Sequence, residues 1–173
     1  MTLNIETTNL ILFPCDQKIL ECAISGDEQL SQHLNVTVPE NWTEFGARAL
    51  KYSLDKLKSS ASEEGWWSYL PVHKADNTLI GLCGYKGPPN EKGLVEIGYE
   101  IKGEYRNKGL ATELAKALID HAFTFYSVHV VQAHTLGAIN ASNRVLLKCG
   151  FQKTDEIDGK ELGTLWKWEL HRT

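Results

Sequence analysis

The sequence lacks most of the marks that would assign it to a specialised class. Its four cysteines, Cys15, Cys22, Cys83 and Cys149, are scattered with no C-x-x-C spacing. That argues against a zinc ribbon or a disulfide framework and for reduced thiols in a cytoplasmic protein. The six histidines include no H-x-x-x-H pair, so no metal site is expected. The first sixteen residues contain no Lys or Arg and only a short apolar run, which reads as neither a secretion signal nor a membrane span. Positive charge is not in excess: 18 Lys and Arg stand against 22 Asp and Glu, a net charge of -4. A chain of that balance is poorly suited to gripping a nucleic-acid backbone by bulk charge, though a local basic site for a phosphorylated ligand is compatible with it. No Gly/Ser/Pro linker, charge block or repeat interrupts the 173 residues, and residues 1–173 are expected to form a single domain large enough to bury a core.

What is there is an alternation of periods. A short apolar run from Leu10 to Phe13, within residues 3–13, ends at Pro14 and predicts a first strand. Residues 16–26 predict a short helix closed by Gly26. Phe45, Ala49, Leu50, Leu54 and Leu57 fall at helical spacing between Trp42 and Ser59. The period then changes: residues 66–73, 79–86 and 93–101, joined by turns at Asp76-Asn77 and Pro88-Pro89-Asn90, predict an antiparallel meander. Ala111, Leu114, Ala115, Leu118, Ile119 and Ala122 mark one face of a strong amphipathic helix. Residues 128–135 return to β character, 140–149 predict a helix stopped by Gly150, and strands at about 151–158 and 163–170 follow. The strands on either side of the helix at 109–126 must be parallel, because that connection is a crossover. The fold class is α/β, with a mixed, mostly antiparallel sheet of about seven strands and flanking helices.

The most informative segment is Tyr105-Arg106-Asn107-Lys108-Gly109-Leu110-Ala111-Thr112, between a strand and the best helix of the chain. A loop there leaves several main-chain N–H groups unpaired at a helix N-terminus, which with the helix dipole favours a phosphate. Gly109 allows close approach, Ala111 keeps the first turn small, and Arg106 and Lys108 add charge. A plain strand-to-helix turn with two solvated basic residues accounts for the same letters. Two other phosphate loops are excluded: G-x-x-x-x-G-K-[ST] does not occur, and neither does G-x-G-x-x-G after a first strand.

The run RNKGLA resembles the R/Q-x-x-G-x-G/A loop of the GNAT superfamily of N-acetyltransferases. EIGYEI ahead of it, NASNRVLLKCGF after it and the opening ETTNLILFP resemble the subgroup that includes the RimJ/RimL-type ribosomal-protein N-terminal acetyltransferases. The likeness covers nearly the whole chain in the right order. It implies a GNAT fold with a splayed pair of parallel strands, here 93–101 and 128–135, and acetyl transfer from acetyl-CoA to a primary amine. It further implies that the pyrophosphate sits on the amides around Arg106, Asn107, Lys108, Gly109, Leu110 and Ala111, with Thr112 following. The pantetheine arm is expected in the gap between the splayed strands, on main-chain groups of Ile97, Gly98, Tyr99 and Ile101, with a bulge at Gly98.

Direct attack requires a neutral amine, whereas an α-amine has a pKa of ~7.7–8.0 and a Lys ~10.4, so a base must take the proton. Glu96, in the strand before the loop, is the first candidate, with Glu100 second. A solvated strand carboxylate is the bland reading of both. By the resemblance, Ser142 matches the subgroup's proton donor to the leaving thiolate, and Asn140 lies near its coenzyme-binding Asn. That Asn commonly lies three residues before the Ser, where this chain has Ile139. Ser142, Asn140 and Asn143 are also good helix caps. Trp42, Trp66 and Trp67 read as core before acceptor pocket. Tyr99 could stack near the arm or simply pack. His129 and His134 fall on opposite faces of one strand. Cys83 has no neighbour to lower its pKa and is not expected to act as a nucleophile. The acceptor is a protein N-terminus or a small amine. A non-catalytic acyl-CoA-binding module is the alternative, and a homodimer is compatible with either.

Overall fold

A computed structural model describes residues 2–173. The chain runs β1 (Ile5–Glu6), β2 (Leu10–Pro14), α1 (Gln17–Ser25), α2 (Asp27–Leu34), α3 (Gly46–Ser59), β3 (Ser68–His73), β4 (Thr78–Leu79), β5 (Gly81–Tyr85), β6 (Leu94–Ile101), α4 (Leu110–Phe123), β7 (Val130–Leu136), α5 (Ala141–Lys148), β8 (Gln152–Asp158) and β9 (Thr164–His171). The strands form one sheet in the order β1-β2-β3-β5-β6-β7-β9-β8, with β4 paired to β3. Every pair is antiparallel except β6 with β7, the pair joined through α4, as a helical crossover requires.

This is the mixed α/β architecture expected from the alternation of periods, with two refinements. The sheet has nine strands among the described residues rather than about seven. The additional two, β1 and β4, are two residues long and too short to carry an alternating pattern. A helix, α2, follows α1 directly across Gly26. Only Leu30 of its eight residues is buried, so it leaves almost no apolar period in the sequence.

Strand alternation sends successive side chains into two layers. On one side Val95, Ile97, Ile101, Val131 and Ala133 pack with Leu114, Leu118 and Ala122 of α4 and Leu146 of α5. On the other, Leu20, Leu30, Leu50 and Leu57 of α1–α3 cover Leu70, Val72 and Leu82. Each such buried Leu stabilises the fold by about 1.5–3 kcal/mol relative to an exposed one. The second layer draws nothing from β6, β7, β8 or β9. The face of β6 and β7 turned away from α4 is therefore not covered by that layer, and between the aliphatic Leu94, Val130 and Leu136 it carries Glu96, Gly98, Glu100, Gln132 and His134.

Local signals hold the helices in place. Asp16 caps α1, its carboxylate accepting from the Ile19 amide at 2.8 Å, and Asn140 caps α5 by accepting from the Asn143 amide at 3.0 Å. Among the described residues the four cysteines are free, and no helix is long and apolar enough to cross a membrane.

Candidate active site

The loop between β6 and α4 is built from main chain. A 3-10 turn over Gly103–Tyr105 ends with the Arg106 amide donating to the Gly103 carbonyl at 3.2 Å, and helical bonding begins with the Glu113 amide on the Gly109 carbonyl at 3.1 Å. Between them, the amides of Asn107, Lys108, Gly109, Leu110, Ala111 and Thr112 donate to no acceptor among the described residues. Asn107 (φ 60°) and Gly109 (φ 77°) are both left-handed, the conformation that turns successive N–H groups into an anion-binding concavity. A Cβ at Gly109 would meet nothing within 4 Å. The position therefore needs glycine for its φ, and the space in front of it is open. The 14-residue α4 points its positive end at this loop.

Side chains add less here than expected. The Arg106 Nε donates to the Ile101 carbonyl at 2.8 Å, and its guanidinium lies 3.7 Å from the Glu44 carboxylate. Lys108 is exposed, its ammonium 5.4 Å from the Tyr105 ring. The start of α4 is anchored from outside: Glu113 accepts from the Thr7 hydroxyl at 2.5 Å and from the Asn9 amide and carboxamide at 2.7 and 2.9 Å. Burial pushes the Glu113 carboxyl up, but these hydrogen bonds outweigh it and hold its pKa below the ordinary range.

Behind the loop, β6 and β7 part. Their ladder ends at Glu96 paired with Gln132, although β6 continues to Ile101 and β7 to Leu136. On the other side of β6 the Lys86 amide donates to the Glu96 carbonyl and the Lys102 amide to the Ile80 carbonyl. By alternation, Gly98 and Glu100 also turn their main-chain groups to β5, while Ile97, Tyr99 and Ile101 turn theirs to the β7 side. The Ile101 carbonyl is the one Arg106 occupies. The bulge expected at Gly98 is not present: Gly98 pairs with Gly84 in a β5–β6 register unbroken from Ile97 to Ile101. The strands separate because pairing to β7 stops, and β6 itself stays regular.

Glu96 is the most connected polar side chain on the open face. Its Oε1 accepts from the Lys86 ammonium and from His134 Nδ1, each at 2.8 Å, and its Oε2 faces the Gln132 carboxamide nitrogen at 3.4 Å. Three strands thus converge on one carboxylate. Burial raises its pKa, but the hydrogen bonds and charges of Lys86 and His134 outweigh burial, and the carboxyl lies below its usual value. Glu96 and His134 are each 19 % exposed, shielded yet reachable. Glu100, four residues on, has a different role: it accepts from the Thr43 hydroxyl and from the Glu44 amide at 3.1 Å, fixing the segment that leads into α3. Beside it lies a cleft of about 140 Å³ lined by Trp42, Glu44, Glu100, Glu104 and Arg106, among others. Trp42 is 5 % exposed with its indole donating to Asp27 at 3.1 Å, a core residue at the wall of that cleft.

The first turn of α5 faces β6: the Tyr99 hydroxyl donates to the Ser142 carbonyl at 3.5 Å, and burial raises the Tyr99 pKa, which keeps it a donor. Ser142 is half-buried in the first turn and does not cap the helix; Asn140 does, which occupies its side-chain oxygen. Asn143 is buried, with its side-chain Nδ2 donating to the Ala138 carbonyl at 2.5 Å and its carboxamide oxygen unpartnered. Cys83 is buried and its thiol is pushed up by burial, consistent with an inert thiol. No three His, Cys, Asp or Glu side chains gather as metal ligands among the described residues.

The loop, β6 and Glu96 stand out in the sequence as candidates. Lys86 and His134 do not stand out there as partners of Glu96, because they lie 10 and 38 residues away in the chain and meet it only across the sheet. The one available signal was His134 on the strand that the crossover makes parallel to β6.

Comparison with known proteins bears on the family and the fold. A model of the acetyltransferase (GNAT) domain family matches residues 11–152. The uncharacterized N-acetyltransferase YjdG of Bacillus subtilis (strain 168) is 28 % identical over 148 residues, 85 % of this chain and 88 % of that protein. Among solved structures, the ribosomal-protein-S5-alanine acetyltransferase from Vibrio fischeri superposes with a TM-score of 0.69 at 18 % identity, covering 98 % of this chain and 97 % of its own. The ribosomal L7/L12 alpha-N-protein acetyltransferase RimL, solved in complex with coenzyme A, gives 0.70 at 14 % identity and covers 98 % of each chain.

Proposed function

Since the chain belongs to the GNAT family and is an N-acetyltransferase with acetyl-CoA as its cosubstrate, we propose that it is a RimJ/RimL-type enzyme that passes the acetyl group directly to a primary amine, with no covalent enzyme intermediate. The observation that carries this reading is the run of six unpartnered amides from Asn107 to Thr112, which follows the stretch of β6, Ile97 to Ile101, that no longer pairs with β7. Phosphate at a helix N-terminus needs such donors and little else. Lys108 supplies exposed charge, while Arg106 is turned to the Ile101 carbonyl and Glu44 and adds less. The gap-facing main-chain groups of Ile97 and Tyr99 suit the amides of a pantetheine arm, and a free N–H there would stabilise charge developing on the thioester oxygen. Gly98 leaves room on the open face, where the nearest atom to an added Cβ is Lys86 Cε at 3.8 Å.

The amine loses its proton to the Glu96–His134 pair, its nitrogen bonds to the acetyl carbon, and the carbon–sulfur bond breaks. Ser142, with a hydroxyl free of any partner among the described residues, is the proton donor to the departing thiolate. The acceptor is a protein N-terminal α-amine or a small amine. The solved neighbours named for ribosomal-protein substrates make an N-terminal peptide the first to try.

Release of free thiol from acetyl-CoA tests the reading across peptides with N-terminal Ala or Ser, spermidine and an aminoglycoside. Turnover of at least one is expected. Tight coenzyme A binding without turnover of any amine would return the chain to an acyl-CoA-binding module.

A further inference from the structure

We propose that His134, through Nε2, takes the proton from the acceptor amine, and that Glu96 is the positioning residue that holds the imidazole for it. The proposal rests on the direct-transfer reading above and assigns its base.

The carboxylate of Glu96 is already occupied. Lys86 and His134 both donate to Oε1 at 2.8 Å, and the Gln132 carboxamide lies against Oε2 at 3.4 Å. Taking a proton there would break an ion pair and two charge-assisted contacts. His134 has the complementary arrangement. With Nδ1 given to Glu96, the neutral ring carries its proton on that nitrogen and leaves the Nε2 lone pair free, a tautomer assigned from the hydrogen bond. Nε2 has no partner among the described residues. Position agrees with chemistry: His134 stands two residues past Gln132, the last β7 residue paired with β6. It is therefore on the rim of the gap, on the face that α1–α3 leave uncovered.

The other charged groups on that face are engaged elsewhere. Lys167 of β9 lies directly across from His134 and is paired with Glu169 at 3.0 Å. Asp155 of β8 stands beyond Lys167, and Glu100 of β6 is bound to Thr43 and Glu44. Glu96 is the carboxylate in contact with the imidazole, and it stabilises the imidazolium once the proton arrives, as a buried carboxylate does for a catalytic histidine. A positioned histidine is the side chain that most often takes a proton in general-base catalysis.

The proton balance is complete. The ammonium form of the amine gives one proton to Nε2; the neutral nitrogen bonds to the acetyl carbon as the carbon–sulfur bond breaks. The nitrogen then loses a second proton as the amide forms, and the thiolate takes one. One amide, one thiol and one proton released to water result.

The test uses the full chain with acetyl-CoA and whichever panel amine the wild type acetylates. His134→Ala is expected to lower kcat/KM by about 10²-fold at pH 7, within the range of general-base catalysis. The KM for acetyl-CoA should hold, and the deficit should narrow at high pH, where the amine is already neutral. Added imidazole should restore part of the rate, which a merely structural role would not allow. His134→Gln, closer in shape, serves if the alanine variant does not fold. The double variant Glu96→Gln/His134→Ala should be no slower than His134→Ala alone, because Glu96 acts through the ring. An unchanged pH–rate profile in His134→Ala, no response to imidazole, or additive losses in the double variant would overturn the assignment and return the base to Glu96. If the wild type acetylates no amine, the transfer reading falls and this assignment falls with it.

Discussion

The two ends of the site are made of different material. The end proposed for the phosphates, Asn107 to Thr112, is a stretch of consecutive main-chain amides shaped by two left-handed residues and a helix terminus. The end proposed to handle protons is side chain throughout: Lys86 just after β5, Glu96 from β6, and Gln132 and His134 from β7. The first is local in sequence and tolerant of which side chains surround it, since Arg106 turns back to the Ile101 carbonyl without spoiling the loop. The second exists only because three strands lie side by side in one register. Binding and chemistry should therefore fail independently.

The largest break is expected at Gly109. Glu there would force a side chain into a left-handed backbone (φ 77°) and put a carboxylate in front of the unpaired amides. Coenzyme A affinity measured by calorimetry should fall by more than about 100-fold, since like charge at an anion site and backbone strain act together. An affinity that survived would remove the loop from the site.

Glu96→Gln should do the reverse. Turnover falls by about 10- to 100-fold while coenzyme A affinity holds, because the amide no longer fixes the imidazole or balances its charge. The loss should be steepest near neutral pH, where the acceptor is mostly protonated. Weakened coenzyme binding in this variant would show that the two ends are coupled after all.

The smallest effect is in stability. Glu113 ties the first turn of α4 to Thr7 and Asn9, and Glu113→Gln should cost roughly 1 kcal/mol, below the usual worth of hydrogen bonds to a charged group because solvent screens the site. Its folded-state pKa is depressed, so its contribution is fully present above the unfolded carboxyl value of about 4.3. It is lost as pH falls through the folded-state value. Melting curves of wild type and variant should thus converge in acid and stand apart at neutral pH.

Most of the strand and helix order was legible because β2 and β5 are short apolar runs, β6 alternates and α4 repeats its apolar residues along one face. α2 was not, having one buried residue in eight. Gly98 misled in an instructive way: an interior glycine is a fair sign of a bulge, yet β6 keeps register with β5 through it. The irregularity lies between strands, where no single residue records it. Ser142 and Asn140 were both potential caps by composition; the backbone chose Asn140.

The sequence by itself determined the order of the longer elements and the parallel β6–β7 crossover, and it marked the candidate anion loop, because each depends on residues within a few positions of one another. Tertiary structure alone decided that the β6–β7 ladder stops at Gln132, and that Glu96 meets both Lys86 and His134. It also decided that Glu100, on the same strand face, became a clamp for the chain entering α3. Those outcomes depend on which strands are neighbours and in what register, and contacts 10 to 57 residues apart in the chain have no local signature.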